Sequence, residues 1–406
     1  MSGQQKQAIV VGAGPAGLAA AEVLAGGGVA VTIHERMPNP ARKFLLAGRG
    51  GLNLTHSEPL ERFLDRYGLA RSRLEPAIRA FSPSDLRAWC EGLGVETFVG
   101  SSGRVFPKAM KASPLLRAWL ARLDGLGVKL RARSRWTGWD GEALTFETPD
   151  GPTQERADVA VFALGGGSWP RLGSDGSWQE AFASHGAQIE PLRPSNSGFL
   201  VNWSDVFKAK FAGQPLKRVK LSYNGDETRG EAMVTRYGIE GGAVYALSPA
   251  LRDGLVEKAV AQLEIDLMPD VDLESLIDRL TLSGAGKASL ANRLRKAGLS
   301  PIAASLLRED AFGTNLPSNP VQLAQRIKGV NIPLAGVAPI ERAISTAGGV
   351  SWDSIAKDYS LTSDRRTFVC GEMLDWEAPT GGYLLQACIS TGRAAGQGAL
   401  SRLMAA

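Results

Sequence analysis

The sequence predicts an α/β fold: a Rossmann-type nucleotide-binding domain split along the chain, with an inserted β-rich plus helical domain between its two parts. Three observations predict it. A strand, glycine turn, helix and second strand open the chain, and a buried strand followed by a glycine-led helix closes it. Between them the pattern changes to alternating strands and then to amphipathic helices. The expected boundaries are 1–189 with 336–406 for the split domain and 190–335 for the insertion, which is assigned to a substrate or partner.

The opening, QAIVVGAGPAGLAAAEVLAGGGVAVTIHER, reads as a strand from Ala8, a turn, a helix from Ala16 to Leu24 and a strand from Val29 to His34. Gly12, Gly14 and Gly17 form GxGxxG in the strand-to-helix context that the dinucleotide fingerprint needs. Gly12 permits the turn, Gly14 lets backbone approach a pyrophosphate, and Gly17 lets helix and strand pack closely. Pro15 and Ala16 start the helix, whose free N–H groups and dipole favour phosphate. Glu35 lies at roughly the 20-residue distance where an acid accepts hydrogen bonds from an adenosine ribose. The fingerprint serves FAD and NAD(P) alike, and an NAD-linked dehydrogenase remains open at this point.

After Glu35 comes a polar turn with Arg36, Arg42 and Lys43, then LLAGRGGLNLTH, residues 45–56. Its glycines, Gly50 among them, offer backbone without side chains in the way. Arg49, Asn53 and Thr55 alternate with Leu52 and Leu54, which predicts an ordered segment rather than a slack loop. The arrangement resembles the flavin-bound two-dinucleotide-binding-domain fold, in which such a loop runs from the pyrophosphate toward the flavin ring.

Residues 58–125 carry helical patterns, with an N-cap at Ser82 and a later helix from about Ser113. From 128 to 163 the period becomes that of strands, with turns at Asp140-Gly141 and Asp150-Gly151, closing on DVAVFALGGGSWP. Gly165, Gly166 and Gly167 follow that strand, where backbone passes the adenosine side of a cofactor. In the insertion, GFLVNW, RVKLSY and TRGEAMVTRYGIEGGAVYALS read as strands, and DLESLIDRL, KASLANRLRKAGL and PIAASLLRED as helices. It holds no second GxGxxG, so a built-in pyridine-nucleotide domain is not expected. The C-terminal stretch has a strand from Thr367 to Cys370, then Gly371-Glu372, then Thr380-Gly381-Gly382-Tyr383 opening a helix of roughly 20 residues. A helix N-terminus there suits the charge on a reduced flavin, and the acid suits a ribityl hydroxyl.

Composition excludes some classes. The 406-residue chain is 44% hydrophobic, with no apolar run long enough to span a membrane and no secretion signal before the first strand; the expectation is a cytoplasmic protein. Cys90, Cys370 and Cys388 lack paired spacing, and His34, His56 and His185 are scattered, so neither disulfides nor a metal site is expected. The net charge of +5 is concentrated: Lys208, Lys210, Lys217, Arg218 and Lys220 form one cluster, and Lys287, Arg293, Arg295 and Lys296 another. Such faces suit structured RNA or are ordinary solvated surface.

Over essentially its whole length the chain resembles the YhiN/BaiN-like family of NAD(P)/FAD-dependent oxidoreductases. The motifs are VVGAGPAGLAAA, GRGGLNLTH, GRVFP, FALGGGSWPRLGSDG, GEAMVTRYGIEGGAVYALS, TAGGVSWDS and GEMLDWEAPTGGYLLQACISTG. The resemblance implies a split FAD-binding Rossmann-type domain, flavoprotein-like, with Gly12, Gly14, Gly17, Glu35, Gly371, Glu372, Gly381 and Gly382 as cofactor contacts. Arg49, Asn53 and Thr55 would lie near the flavin, and NAD(P)H is the implied transient donor. The implied activity is reduction of carbon–carbon double bonds, including dihydrouridine formation in ribosomal RNA. One departure is local. The family typically reads GGGRCN in the loop; here the arginine is earlier, at Arg49, and Leu52 stands at the cysteine position. If relatives use that cysteine to deliver a proton, this chain needs another acid, and Tyr383, His56 and Tyr237 are the candidates, with Arg49 and Asn53 beside them. An unsaturated small molecule, a uracil in RNA, and a non-catalytic flavin-containing RNA- or partner-binding role all remain open.

Overall fold

A computed structural model of the chain describes residues 5–47, 50–283, 289–310 and 315–405. Arg49 and Lys287 lie outside the described residues. The chain divides into two compact units, residues 1–193 with 345–406 and residues 194–344.

The first unit is built on a five-stranded parallel sheet. Its strands are β1 (Gln7–Val11), β2 (Ala30–Glu35), β3 (Lys129–Ala132), β4 (Val159–Phe162) and β5 (Thr367–Val369), in the order β5-β4-β1-β2-β3. The apolar run Ala8–Val11 is fully covered, as a central parallel strand must be. Between β3 and β4 the chain makes an antiparallel excursion, Arg135–Asp140, Ala143–Thr148 and Gly151–Glu155. The first hairpin turns where Asp140-Gly141 was expected, with Gly141 at φ 59°.

Two helices matter most. Helix α1 (Pro15–Gly26) follows the glycine turn directly, and α2 (Tyr383–Ala405) runs for 23 residues. They pack together along most of α1. The reason is a small-residue stripe: a Cβ on Gly392 would clash with the Ala16 carbonyl, and one on Gly396 would sit 2.8 Å from the Ala20 carbonyl oxygen. Gly371, at φ 73°, brings its backbone to 2.7 Å (as a built Cβ) from the Ala16 methyl. The spacing Gly392-x-x-x-Gly396 against Ala16-x-x-x-Ala20 is a backbone-to-backbone fit that no pattern of apolar residues announces.

Residues 58–125 are not wholly helical. Ser82 caps Pro83–Gly92 in a capping box with Asp85, as the sequence indicates, and the later helix spans Ala112–Gly125. Between them, however, Thr97–Val99 and Arg104–Pro107 form strands, and Thr55–His56 adds to the same small sheet. These strands are too short for a period to show.

The second unit holds an antiparallel sheet, among the described residues seven strands in the order Val330–Leu334, Ala261–Asp266, Pro215–Tyr223, Asp226–Val234, Gly238–Glu240, Phe199–Leu200 and Gly336–Val337. The last of these pairs with Phe199–Leu200, which carries this unit's second boundary to 344 rather than 335. A correction and an addition apply here. GGAVYALS is helical over Gly242–Ala246, because Gly241 at φ 108° breaks the strand and starts a turn of helix. Ala261–Asp266 and Val330–Leu334, which the sequence reading leaves unassigned, are strands on either side of the expected helices.

Gly392→Ala is expected to destabilise the protein by about 2–3 kcal/mol, since the α1 backbone must move to admit the methyl group. Gly26→Ala, which meets nothing within 4 Å, is expected to change stability by less than about 0.5 kcal/mol. Urea unfolding of the two variants checks this, and equal effects would contradict it.

Candidate functional site

The crevice at the carboxyl ends of β1 and β2 is shaped by the fingerprint glycines. Gly12 has φ 103°, and a Cβ there would meet the Ala163 backbone; a Cβ on Gly17 would run into the Gly12 carbonyl. Gly14 is different: a Cβ on it would meet nothing within 4 Å, so its face is open. No side chain caps α1, and no acid occupies its first turn, which leaves the N–H groups following Pro15, on Ala16 and Gly17, available to an anion.

Glu35 closes one side. Its carboxylate accepts the Ala13 N–H at 2.9 Å and the Met37 N–H at 2.8 Å. Burial pushes its pKa up, and those two N–H groups with Arg36 and Arg42 offset only part of that. Each oxygen keeps a lone pair for a further donor. Arg36 pairs with Asp175 at 2.5 Å and also donates to the Pro170 carbonyl, so the loop after β4 is tied to the end of β2. That loop is held elsewhere as well. Lys43 donates to Ser168 and to Glu372, both at 2.9 Å, and Glu372 also accepts the Thr346 N–H at 3.0 Å. The glycines behind it serve packing: a Cβ on Gly165 would stand 2.6 Å from the Ser174 hydroxyl, and one on Gly166 would strike Thr346.

The loop 50–56 meets the start of α2. Gly50 is exposed, whereas Leu52 and Leu54 are buried in the core, their N–H groups donating to Met110 and Val105. The loop's other side carries the polar atoms. Asn53 Oδ1 and Thr55 Oγ1 are both buried, and among the described residues neither has a hydrogen-bond partner. Gly382, at φ 95°, lies against the backbone of Thr55, 2.5 Å from its Cα as a built Cβ. Gly381, at φ 141°, turns the chain from Thr380 into the helix. Two unsatisfied side-chain acceptors beside a glycine-opened helix N-terminus fit a ligand with its own donors, because such atoms left bare cost about 1–3 kcal/mol each.

Next to this junction stands a cluster that sequence reasoning missed in part. The Tyr383 hydroxyl donates to Glu58 at 2.5 Å, and Glu58 also accepts both arms of Arg66, at 2.8 and 3.2 Å. Burial raises the Glu58 pKa, but Arg66 and Tyr383 outweigh it and hold the carboxyl below its usual range. Burial and the Glu58 carboxylate together push the Tyr383 phenol well up, so it keeps its proton at neutral pH. His56 stacks on Tyr383 at 5.6 Å; its Nδ1 accepts the Glu58 N–H, which leaves Nε2 to donate to the Ser102 carbonyl. Both its ring nitrogens are therefore committed to backbone. Glu58 and Arg66 carry no motif, and only the fold places them beside Tyr383.

Other candidates fall elsewhere. Tyr237 is exposed in the second unit, with the Arg342 guanidinium 4.4 Å above its ring. Cys370 and Cys388 have thiols driven up by burial, Cys388 to about 12, as inert cysteines should be. Of the surface cations, Lys208 pairs with Asp205, Lys220 with Glu227, and Arg293 donates to the Ser318 carbonyl. Lys217, Arg218, Arg295 and Lys296 are exposed, and Lys210 lies over Phe211.

The chain matches the HI0933-like protein Rossmann domain over residues 6–398. It belongs to the HI0933-like family. As a member of that family it is an FAD-dependent oxidoreductase. Among characterised relatives it is 25% identical over 409 residues to the 3-dehydro-bile acid delta(4,6)-reductase of Clostridium scindens, covering 97% of this chain and 98% of the relative. It is 24% identical over 394 residues to the ribosomal RNA dihydrouridine synthase of Haemophilus influenzae, covering 94% and 96%. Among solved structures, the 3-ketosteroid delta1-dehydrogenase of Sterolibacterium denitrificans shares the fold with a TM-score of 0.55 at 13% identity, over 98% of this chain and 100% of that one. Among the described residues no helix is long and apolar enough to cross a membrane.

One titration near the crevice is measurable without ligand. His34, beside Glu35, is buried, stacked 3.8 Å from Phe146, with Nδ1 on the Ser134 hydroxyl, and burial with the Arg131 charge lowers its pKa to about 4. The unfolded chain, with an ordinary histidine near 6.5, binds the proton first. The histidine's contribution to stability is thus complete above pH 6.5 and is lost as pH falls toward 4. His34→Gln is expected to lose less stability than wild type between pH 7 and pH 5 in urea unfolding; an identical loss would refute this.

Proposed function

We propose that this oxidoreductase takes electrons from NAD(P)H and reduces a carbon–carbon double bond conjugated to a carbonyl. The observation that carries this reading is the junction of loop 50–56 with the start of α2. There two buried acceptors on Asn53 and Thr55, without partners among the described residues, adjoin a proton-bearing phenol, Tyr383, anchored to Glu58. The reactions named for the two relatives support it, since each saturates an alkene activated by a carbonyl.

The residues fit FAD. Gly12, Gly14 and Gly17, with the N–H groups after Pro15 and Ala16, would take the pyrophosphate, and Glu35 the adenosine ribose. Arg36 with Asp175, and Lys43 with Glu372 and Gly371, would border the ribose and ribityl chain, alongside Gly165. Asn53, Thr55 and the Thr380–Tyr383 turn would meet the flavin's polar edge, with Gly50 nearby. A bound FAD would supply the hydride chemistry that links a nicotinamide donor to one alkene carbon.

The chain's part is to hold the acceptor and give a proton to the neighbouring carbon. Tyr383 is the best-placed donor in this reading. Its hydroxyl carries a proton at neutral pH, held by a single bond to Glu58, and the phenol would release that carboxylate, which Arg66 keeps charged and in place, to turn its proton to the acceptor. His56 is less suited, because both nitrogens are bonded to backbone. Leu52 takes no part, since its side chain belongs to the core. A uracil in structured RNA is the second reading, favoured by exposed Lys217, Arg218, Arg295 and Lys296.

Tyr383→Phe is expected to lower acceptor-dependent turnover about 100-fold or more while leaving NAD(P)H-driven flavin reduction nearly unchanged, as stopped-flow absorbance would read. Equal slowing of both half-reactions would remove Tyr383 from the proton step. For the acceptor, mass spectrometry of rRNA nucleosides from a deletion strain and its complemented control decides between the two readings. Unchanged dihydrouridine excludes RNA, and loss of it on deletion excludes a small-molecule-only role.

A further inference from the structure

On α2, the face adjacent to the one packed against α1 borders a groove of 810 Å³ that lies outside the dinucleotide crevice. Its residues recur at helical spacing, Ser390, Arg393, Gln397 and Ser401 among them, and its other wall includes Ala77, Ala80 and Phe81. The lining is two-natured: mainly small and apolar, with Lys357, Arg393 and Arg402 against a single carboxylate, Asp358.

Arg393 is the unusual group. Its guanidinium lies 4.5 Å over the Phe81 ring and forms no ion pair or hydrogen bond among the described residues. Burial pulls its pKa down, the mark of a cation short of a counter-charge. The nearby acids are already used. Glu22 accepts from Trp89, Trp119 and Arg122; Asp85 is in its capping box with Ser82; Asp358 is shared by Ser360, Arg365 and Arg402. A half-buried guanidinium, set beside alanines and a phenylalanine, lacks an anion whose body is apolar.

We propose that this groove binds an apolar carboxylate, its carboxylate paired with Arg393 and its hydrocarbon body laid along Phe81 and the alanines. The site is separate from the acceptor site and does not rest on the reaction assigned above. The volume lies within the range of small-molecule sites and exceeds what an inorganic anion fills.

Titration calorimetry of the FAD-loaded protein with decanoate, 1-decanol and inorganic phosphate tests this, with the flavin absorbance followed in parallel. The expected result is one decanoate per chain with the flavin band unmoved, and at least about 10-fold weaker binding of decanol and of phosphate. Arg393→Gln is expected to weaken decanoate about 10-fold or more, with Arg393→Lys retaining part of it. Ala80→Trp, at an exposed alanine on the groove wall, is expected to block it by bulk with all charges kept. Decanoate binding no tighter than decanol, or unchanged by both Arg393→Gln and Ala80→Trp, would overturn the proposal. So would decanoate binding that shifts the flavin band, which would place the ligand at the acceptor site instead.

Discussion

The close approach of α2 to α1 is the constraint on which the site depends. Two helices that meet at Gly392 and Gly396 on one side and Ala16 and Ala20 on the other can sit backbone to backbone, and at that separation neither can slide without a carbonyl striking a Cα. The start of α1 borders the fingerprint glycines, and the start of α2 meets loop 50–56. Holding the two helices in register therefore holds these two helix starts at one distance. Gly371 against Ala16 adds a third point to the same contact.

Loop 50–56 gains its order from the same arrangement. Its leucines enter the core and its backbone bonds to the strands at 104–110, so Asn53 and Thr55 are turned the other way by the two-residue alternation. Gly382 then presses on the backbone of Thr55, whose hydroxyl is buried, as is Asn53 Oδ1. Leu52 is on the core side of that alternation, and across the junction, on α2, Tyr383 is oriented by Glu58 and Arg66.

Much of the first unit was legible because its signals are local. The strand and glycine turn around Gly12, the Ser82 cap and the Asp140-Gly141 hairpin each depend on residues within a few positions of one another. The second unit was less legible for the opposite reason. Ala261–Asp266 alternates as a strand does, but it pairs with Pro215–Tyr223 and Val330–Leu334, partners roughly 40 or more residues away that no local pattern names. GGAVYALS misled because its apolar content suits a strand, while Gly241 takes a φ that ends one.

By itself the sequence determined the chemistry on offer: a glycine fingerprint that leaves a helix N-terminus bare, an acid at the end of β2, and a glycine-led final helix. Those are properties of backbone freedom and short-range spacing. Tertiary structure alone decided which polar groups are left without partners and which are consumed. Glu58 and Tyr383 are 325 positions apart, Lys43 and Glu372 are 329 apart, and no local pattern relates them. Whether Thr55 is a solvated loop residue or a buried hydroxyl depends on what the chain packs over it, and that is settled only when Gly382 reaches its backbone.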